Sequence, residues 1–340
     1  MTHTFQRTLG RSGIQVTALG MGCWAIGGPF TGFGSMPLGW GDVDDQASLE
    51  AIKAALDLGV NFFDTADVYG VGHSEKLLSK ALKGIRDKVV IATKFGFVFD
   101  EQKKDAYEFN ASPEYVRKAV EASLRRLDTD YIDLYQLHIK DYDIVMAKDT
   151  MAVLEKLVDE GKIRGYGWST DDYNRAALFA KGLHCSAIQQ QLNIFVGNKS
   201  ILELCEEHNL ASLNRGPLAM GLLTGKFKKE IELPFNDVRI SVDAMEDPYY
   251  MYFKDKKPRP DLLQKLDAVN EILRSNGRTL AQGSLAWIWA KSGKTIPIPG
   301  FKTAKQVKEN AKALDFGPLT HHQMHEIEKL VQIKTHDTKI

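Results

Sequence analysis

Short runs of apolar and β-branched residues alternate with amphipathic stretches along almost the whole chain, the pattern that repeated βα units around a parallel sheet produce. Eight runs read as strands: residues 17–22 (TALGMG), 61–64 (NFFD), 89–94 (VVIATK), 131–138 (YIDLYQLH), 163–169 (IRGYGWS), 187–190 (AIQQ), 211–215 (ASLNR) and 295–299 (TIPIP). Helical spacing follows them. Residues 46–59 set Leu49, Ile52, Ala55 and Leu56 on one face, and Ser112, Pro113 and Glu114 have the order of a helix cap, a first-turn proline and a first-turn acid. TFQRTL and IQVT, around Ser12 and Gly13, predict a hairpin closing the bottom of the barrel. After the seventh run, residues 226–260 form a long polar insertion expected to be a lid ordered by a bound ligand. Residues 319–333 predict an extra terminal helix whose apolar positions are Met324, Ile327, Leu330 and Val331. The expected fold is α/β, a single (β/α)8 TIM barrel domain spanning 1–340.

Charge narrows the function classes. Lys and Arg number 44, as do Asp and Glu, so the formal net charge is zero and no long-range attraction to nucleic acid or a membrane surface is expected. The expected partner is a small molecule. Cys23, Cys185 and Cys205 lie far apart, the N-terminus has no apolar signal core, and no apolar run approaches the roughly 20 residues of a membrane span. Those features predict a cytoplasmic protein; the oligomeric state is not legible.

In such a barrel, chemistry sits at the C-terminal ends of the strands. Three consecutive candidate strands end in Asp64, Lys94 and His138, each after an otherwise apolar or β-branched run, and Tyr69 lies five positions beyond Asp64. A carboxylate, an ammonium, an imidazole and a phenol at one rim fit carbonyl reduction. Hydride addition builds charge on oxygen, and a phenol with an ordinary pKa near 10 is a poor proton donor unless its phenolate is stabilised. Lys94 is expected to lower the Tyr69 pKa, Asp64 to hold Lys94 charged, and His138 to orient the substrate oxygen.

Through DTADVYGVGHSE, VVIATKFG, DLYQLH, GYGWST, RGPLAMGLLTGKF and IPIPGFKTAKQVKEN, in that order, the sequence resembles the aldo-keto reductase superfamily over nearly its whole length. The arrangement is similar to the bacterial-type branch related to inositol-dehydrogenase-like reductases and potassium-channel β-subunits. The resemblance implies a catalytic tetrad of Asp64, Tyr69, Lys94 and His138 and an NADP(H) cofactor. It places Gly22, Cys23, Trp24 and Asp64 beside the cofactor, with Ser169, Thr170 and Gln189 on its carboxamide; Thr170 departs from the usual Asn. Arg215 corresponds to the position that stacks on the nicotinamide. The segment 216–226, with Gly216, Pro217, Leu218, Gly221, Leu223 and Lys226, corresponds to the pyrophosphate loop. Gly300, Lys302 and Thr303 open a helix suited to a 2′-phosphate, and Gln306, Glu309 and Asn310 match positions that hold adenine. Between Gly300 and Gln306 there is no carboxylate for a free 2′-hydroxyl, which favours NADP(H).

The expected substrate pocket comprises Trp24, Tyr69, Phe97, His138, Lys140, Trp168 and Arg215, and Lys140 with Arg215 suggests a sugar or another polyhydroxylated or anionic carbonyl compound. An alternative is a nucleotide-binding redox sensor resembling the channel β-subunits. Other signals carry less. The GxGxxA match at 20–25 lacks the following helix of a dinucleotide fold, and Tyr250 with Lys254 and Tyr252 with Lys256 lie in the polar insertion. His321, His322 and His325 read as exposed helix positions, and no metal site is expected.

Overall fold

The computed structural model describes residues 5–34, 36–227, 233, 235–241, 252–331 and 334–335. Eight parallel strands run in sequence order around a barrel: β1 (Met21–Gly22), β2 (Phe62–Asp64), β3 (Val90–Phe95), β4 (Leu134–Leu137), β5 (Tyr166–Ser169), β6 (Cys185–Gln191), β7 (Ala211–Arg215) and β8 (Thr295–Pro297). The ring closes through a parallel bridge between Gly22 and Gly300 and through the Gly20 and Gly22 amides, each donating over 3.0 Å to Pro297 and Pro299 carbonyls.

Helices α1 (Asp45–Asp57), α2 (His73–Ala81), α3 (Pro113–Leu127), α4 (Met146–Asp159), α5 (Tyr173–Ala180) and α6 (Lys199–Glu207) follow the first six strands. After β7 come α7 (Pro260–Arg274) and α8 (Leu280–Lys291); α9 (Ala304–Lys312) follows β8, and α10 (His321–Leu330) is the extra helix. The reasons are local. Ser112 accepts the Tyr115 amide at 3.3 Å ahead of Pro113, and Thr303 and Thr320 cap α9 and α10 with reciprocal glutamine bonds. Of the apolar positions expected on α10, Met324 and Ile327 and the following Val331 are buried, whereas Leu330 is exposed.

Inside the ring, Phe62, Val90, Leu134, Leu213, Ile296 and Ile298 pack in one cluster with Leu9, Ile14 and Val16 of the N-terminal hairpin (Gln6–Thr8 with Gln15–Thr17). The hairpin therefore closes the bottom, and function is left to the opposite rim. Two features there escaped the sequence reading. A four-stranded sheet of Met36–Pro37, Thr31–Gly32, Asp105–Phe109 and Phe97–Asp100, in that order, unites the loops after β1 and β3. The loop after β1 is also joined to that after β7: Val238 N donates to Gly39 O at 2.7 Å and Gly41 N to Asn236 O at 3.2 Å. Of the lid expected over 226–260, residues 228–232, 234 and 242–251 lie outside the described residues.

A buried ion pair ties the rim to the helices. Glu75 on α2, fully buried, accepts from Arg126 Nε and from the Thr93 hydroxyl, each at 2.6 Å. These bonds fix α2, and with it the loop carrying Tyr69, against β3 and α3. Replacing Arg126 by Leu strands the carboxylate, and we expect a loss of about 3–5 kcal/mol in urea unfolding. A loss below about 1 kcal/mol would show that the pair does not organise this corner.

Candidate active site

Asp64 is the last residue of β2, Lys94 lies one residue from the end of β3, and His138 immediately follows β4, its amide donating to Phe95 O at 2.8 Å. Tyr69 reaches the same rim because the chain after β2 turns sharply at Gly70, whose φ is 60°. A Cβ at Gly70 would come within 1.8 Å of the Gly27 carbonyl oxygen, so only glycine fits beside Tyr69.

The four side chains meet. Lys94 Nζ donates to Asp64 Oδ1 at 2.6 Å, to Thr65 O at 2.7 Å and to the Tyr69 hydroxyl oxygen at 3.1 Å. Lys94 is fully buried, and the Tyr69 and His138 rings meet edge to face at 5.7 Å. Burial opposes the lysine charge, but Asp64 and the Tyr69 oxygen outweigh it and raise its pKa above the ordinary value. His138 behaves oppositely. Burial, reinforced by Lys94 and Arg215, pushes its pKa well below the usual imidazole range, and its Nδ1 is buried without a partner. The neutral form of the ring is therefore favoured.

Sequence reasoning missed Gln136. Its Nε2 donates to Asp64 Oδ2 at 3.1 Å, and Gln189 Nε2 donates to the same oxygen at 2.8 Å. Asp64 thus accepts from three side chains, which fix both oxygens. The alternation of β4 places Gln136 inside the barrel, a signal that was present in DLYQLH.

The site opens on a cavity of about 860 Å³. Asp64, Tyr69 and His138 line it, whereas Lys94 stands behind them. Gly22, Cys23 and Trp24 line it from β1, and Ser169 and Gln189 from β5 and β6. Along the far wall stand Gly216, Pro217, Leu218, Gly221 and Lys226, then Gly300, Lys302, Gln306, Glu309 and Asn310. Gly216, Ala219, Met220 and Gly221 all have positive φ, so this segment is tightly coiled against the cavity.

Besides Lys94, four expected positions fall outside the lining. Thr170 is fully buried, donates its hydroxyl to Lys140 O at 2.8 Å and accepts the Asp172 amide at 3.2 Å. Trp168 is buried behind the barrel wall, its Nε1 bonded to Ile139 O at 2.9 Å and its ring against Phe179. Leu223 points into the apolar core, and Thr303 spends its hydroxyl on the Gln306 amide as the α9 cap. Lys140 and Phe97 line the cavity as expected.

The charge expected of Arg215 is matched within the protein. Its Nη2 pairs with Asp171 Oδ2, and its Nη1 donates to Gln191 Oε1 at 2.5 Å. Lys140 pairs with Asp141 at 3.6 Å. Tyr252, in the insertion, accepts from Gln191 Nε2 at 2.7 Å and Asn193 Nδ2 at 2.8 Å, which is a structural part rather than a catalytic one.

At the far end Lys226, Arg239 and Lys302 gather around Asp237. Arg239, absent from the sequence reading, makes bonds of 2.8 and 2.6 Å to the two Asp237 oxygens. Lys302 Nζ donates to Trp40 O at 2.5 Å and Asp42 O at 3.0 Å. Burial foremost, and then Arg239, lowers the Lys226 and Lys302 pKa values, so the cluster holds excess positive charge that an anion would relieve.

The Aldo/keto reductase family model matches residues 31–332. The chain is 33% identical over 303 residues to "Aldo-keto reductase YhdN" of Bacillus subtilis, covering 87% of this chain and 85% of that protein. Among solved structures, the holo form of aldo-keto reductase AKR11C1 from Bacillus halodurans is similar at a TM-score of 0.78 and 30% identity, over 99% of each chain. An aldo/keto reductase from Klebsiella pneumoniae in complex with NADP and acetate is similar at 0.70 and 25% identity, over 98% of this chain and 97% of that one. With its barrel, its rim cluster and these likenesses, the chain belongs to the aldo/keto reductase family.

Proposed function

We propose that the protein reduces an aldehyde or ketone to an alcohol with NADPH, Tyr69 acting as the general acid. The observation that carries this is the Tyr69 oxygen at the cavity wall, 3.1 Å from a fully buried ammonium that Asp64 holds at 2.6 Å. NADP(H) suits the cavity's volume of about 860 Å³, its coiled backbone wall and its cationic far end, and the similar protein from Klebsiella pneumoniae is in complex with NADP. When bound, the cofactor supplies the hydride that the carbonyl carbon accepts.

The chain's own residues handle the oxygen. As negative charge builds there, Tyr69 gives up its phenolic proton, and Lys94 stabilises the phenolate left behind. Asp64, fixed by Gln136 and Gln189, keeps Lys94 charged and aimed. His138, being neutral, donates one hydrogen bond to the substrate oxygen without competing as an acid. Cys23 takes no part: burial first, and Asp64 next, hold its thiol protonated.

The sugar or keto-sugar expectation rested on Lys140 and Arg215, and both now have carboxylate partners. NADPH consumption against sugars, keto-sugars and simple aldehydes tests the activity. No turnover with any of them, at intact nucleotide binding, would favour the sensor alternative. His138→Ala should lower kcat about tenfold or more while changing the NADPH Kd less than about twofold. A variant that loses nucleotide binding first would make His138 structural.

A further inference from the structure

The geometry points to a substrate carrying an aromatic ring, which Phe33, Phe97 and Phe109 receive at the cavity mouth; this rests on the reductase reading above. The three rings form a continuous patch. Phe33 and Phe109 lie 4.6 Å apart between centroids, Phe97 and Phe109 4.9 Å, and Phe33 and Phe97 6.1 Å. Phe97 also meets the His138 ring at 5.1 Å, so the patch begins beside the reacting carbonyl and runs outward from it.

All three line the cavity, yet Phe33 is 43% and Phe109 49% exposed. Two half-exposed phenylalanines at a pocket mouth are a surface that a ligand can cover. Phe33 is moreover held at a φ of 50°, a left-handed conformation unfavourable for a bulky side chain, with Gly34 following at 94°. The small rim sheet holds the other two rings by pairing Phe97 with Phe109 in register.

The rest of this wall is of the same kind, with Phe30, Leu38, Val68 and Ile139. Of the cationic side chains there, Arg215 is held by Asp171 and Gln191, and Lys140 lies 3.6 Å from Asp141 at the exposed edge. A polyol would exchange water for apolar surface and gain few bonds, whereas an aryl group gains burial and ring contacts. The reaction is unchanged: the carbonyl gains a hydride at carbon and the Tyr69 proton at oxygen.

The test uses the intact protein with 3-phenylpropanal, propanal and glyceraldehyde, the first two differing by the phenyl group alone. We expect kcat/KM for 3-phenylpropanal to exceed that for propanal by about tenfold or more. Phe33→Ala and Phe109→Ala should each remove most of that preference and leave propanal within about twofold. In parallel, calorimetry should show 3-phenylpropan-1-ol binding more tightly than propan-1-ol, with the difference lost in the same variants.

If the alcohols bind in this pattern but no aldehyde turns over, the aromatic subsite stands and the reductase reading falls. An unchanged preference in both variants, or preference for glyceraldehyde, overturns the inference. Variants that alter the sedimentation coefficient but not selectivity overturn it too, making the patch a contact between copies of the chain.

Discussion

Tyr69→Phe is expected to lower carbonyl reduction by a factor on the order of 10² or more while leaving NADPH affinity nearly unchanged. The substitution removes one oxygen and keeps the ring, which stacks on Trp24 at 5.9 Å and meets His138 edge-on. The cavity wall therefore survives. What disappears is the phenolic hydroxyl 3.1 Å from Lys94. The buried ammonium keeps Asp64 and the Thr65 carbonyl, so the fold should be little disturbed. Stopped-flow reduction of an aldehyde, beside fluorescence titration with NADPH, separates the two effects. Wild-type turnover in this variant would sink the role given to Tyr69.

The second large effect concerns nucleotide choice. A 2′-phosphate brings close to two negative charges, and a charge-assisted bond is worth about 1.5–3 kcal/mol. At about 1.4 kcal/mol per tenfold, Lys302→Ala should weaken NADPH binding by roughly 10- to 150-fold and barely affect NADH. The carbonyls of Trp40 and Asp42 hold the Lys302 ammonium near Arg239 and Lys226. The preference should also shrink with ionic strength, because this end of the cavity is only partly buried. If both nucleotides weaken equally, Lys302 only holds the loop after β1 and does not read the phosphate.

The barrel was legible because its eight runs are apolar, short and regularly spaced, and each lies on or within a few residues of a strand. The edges were less so. The first run extends to Thr17 in the sequence, but Thr17 pairs with Gln6 in the hairpin and β1 begins at Met21. The fourth run reaches back to Tyr131, whereas Asp133 is bound by Arg86 and Arg164 at the barrel floor and β4 starts at Leu134.

At the rim, polar residues ending apolar runs announced Asp64, Lys94 and His138. Periodicity does not say how a hydroxyl or a charge is spent. Thr170 and Thr303 serve backbone groups, Trp168 turns outward into the helix layer, and Arg215 is matched by Asp171. The rim sheet was hidden for another reason. Its strands of two to five residues come from two separate loops and depend on long-range pairing such as Thr31 with Asp105, for which a linear pattern carries no signal.

Isotope transfer tests the central claim most directly. NADPH deuterated at the transferring C4 position, incubated with the protein and 3-phenylpropanal, should give an alcohol with one deuterium on the carbinol carbon and NADP+ in equal amount. An alcohol without deuterium, or no oxidation of NADPH beside any aldehyde or ketone, would contradict it.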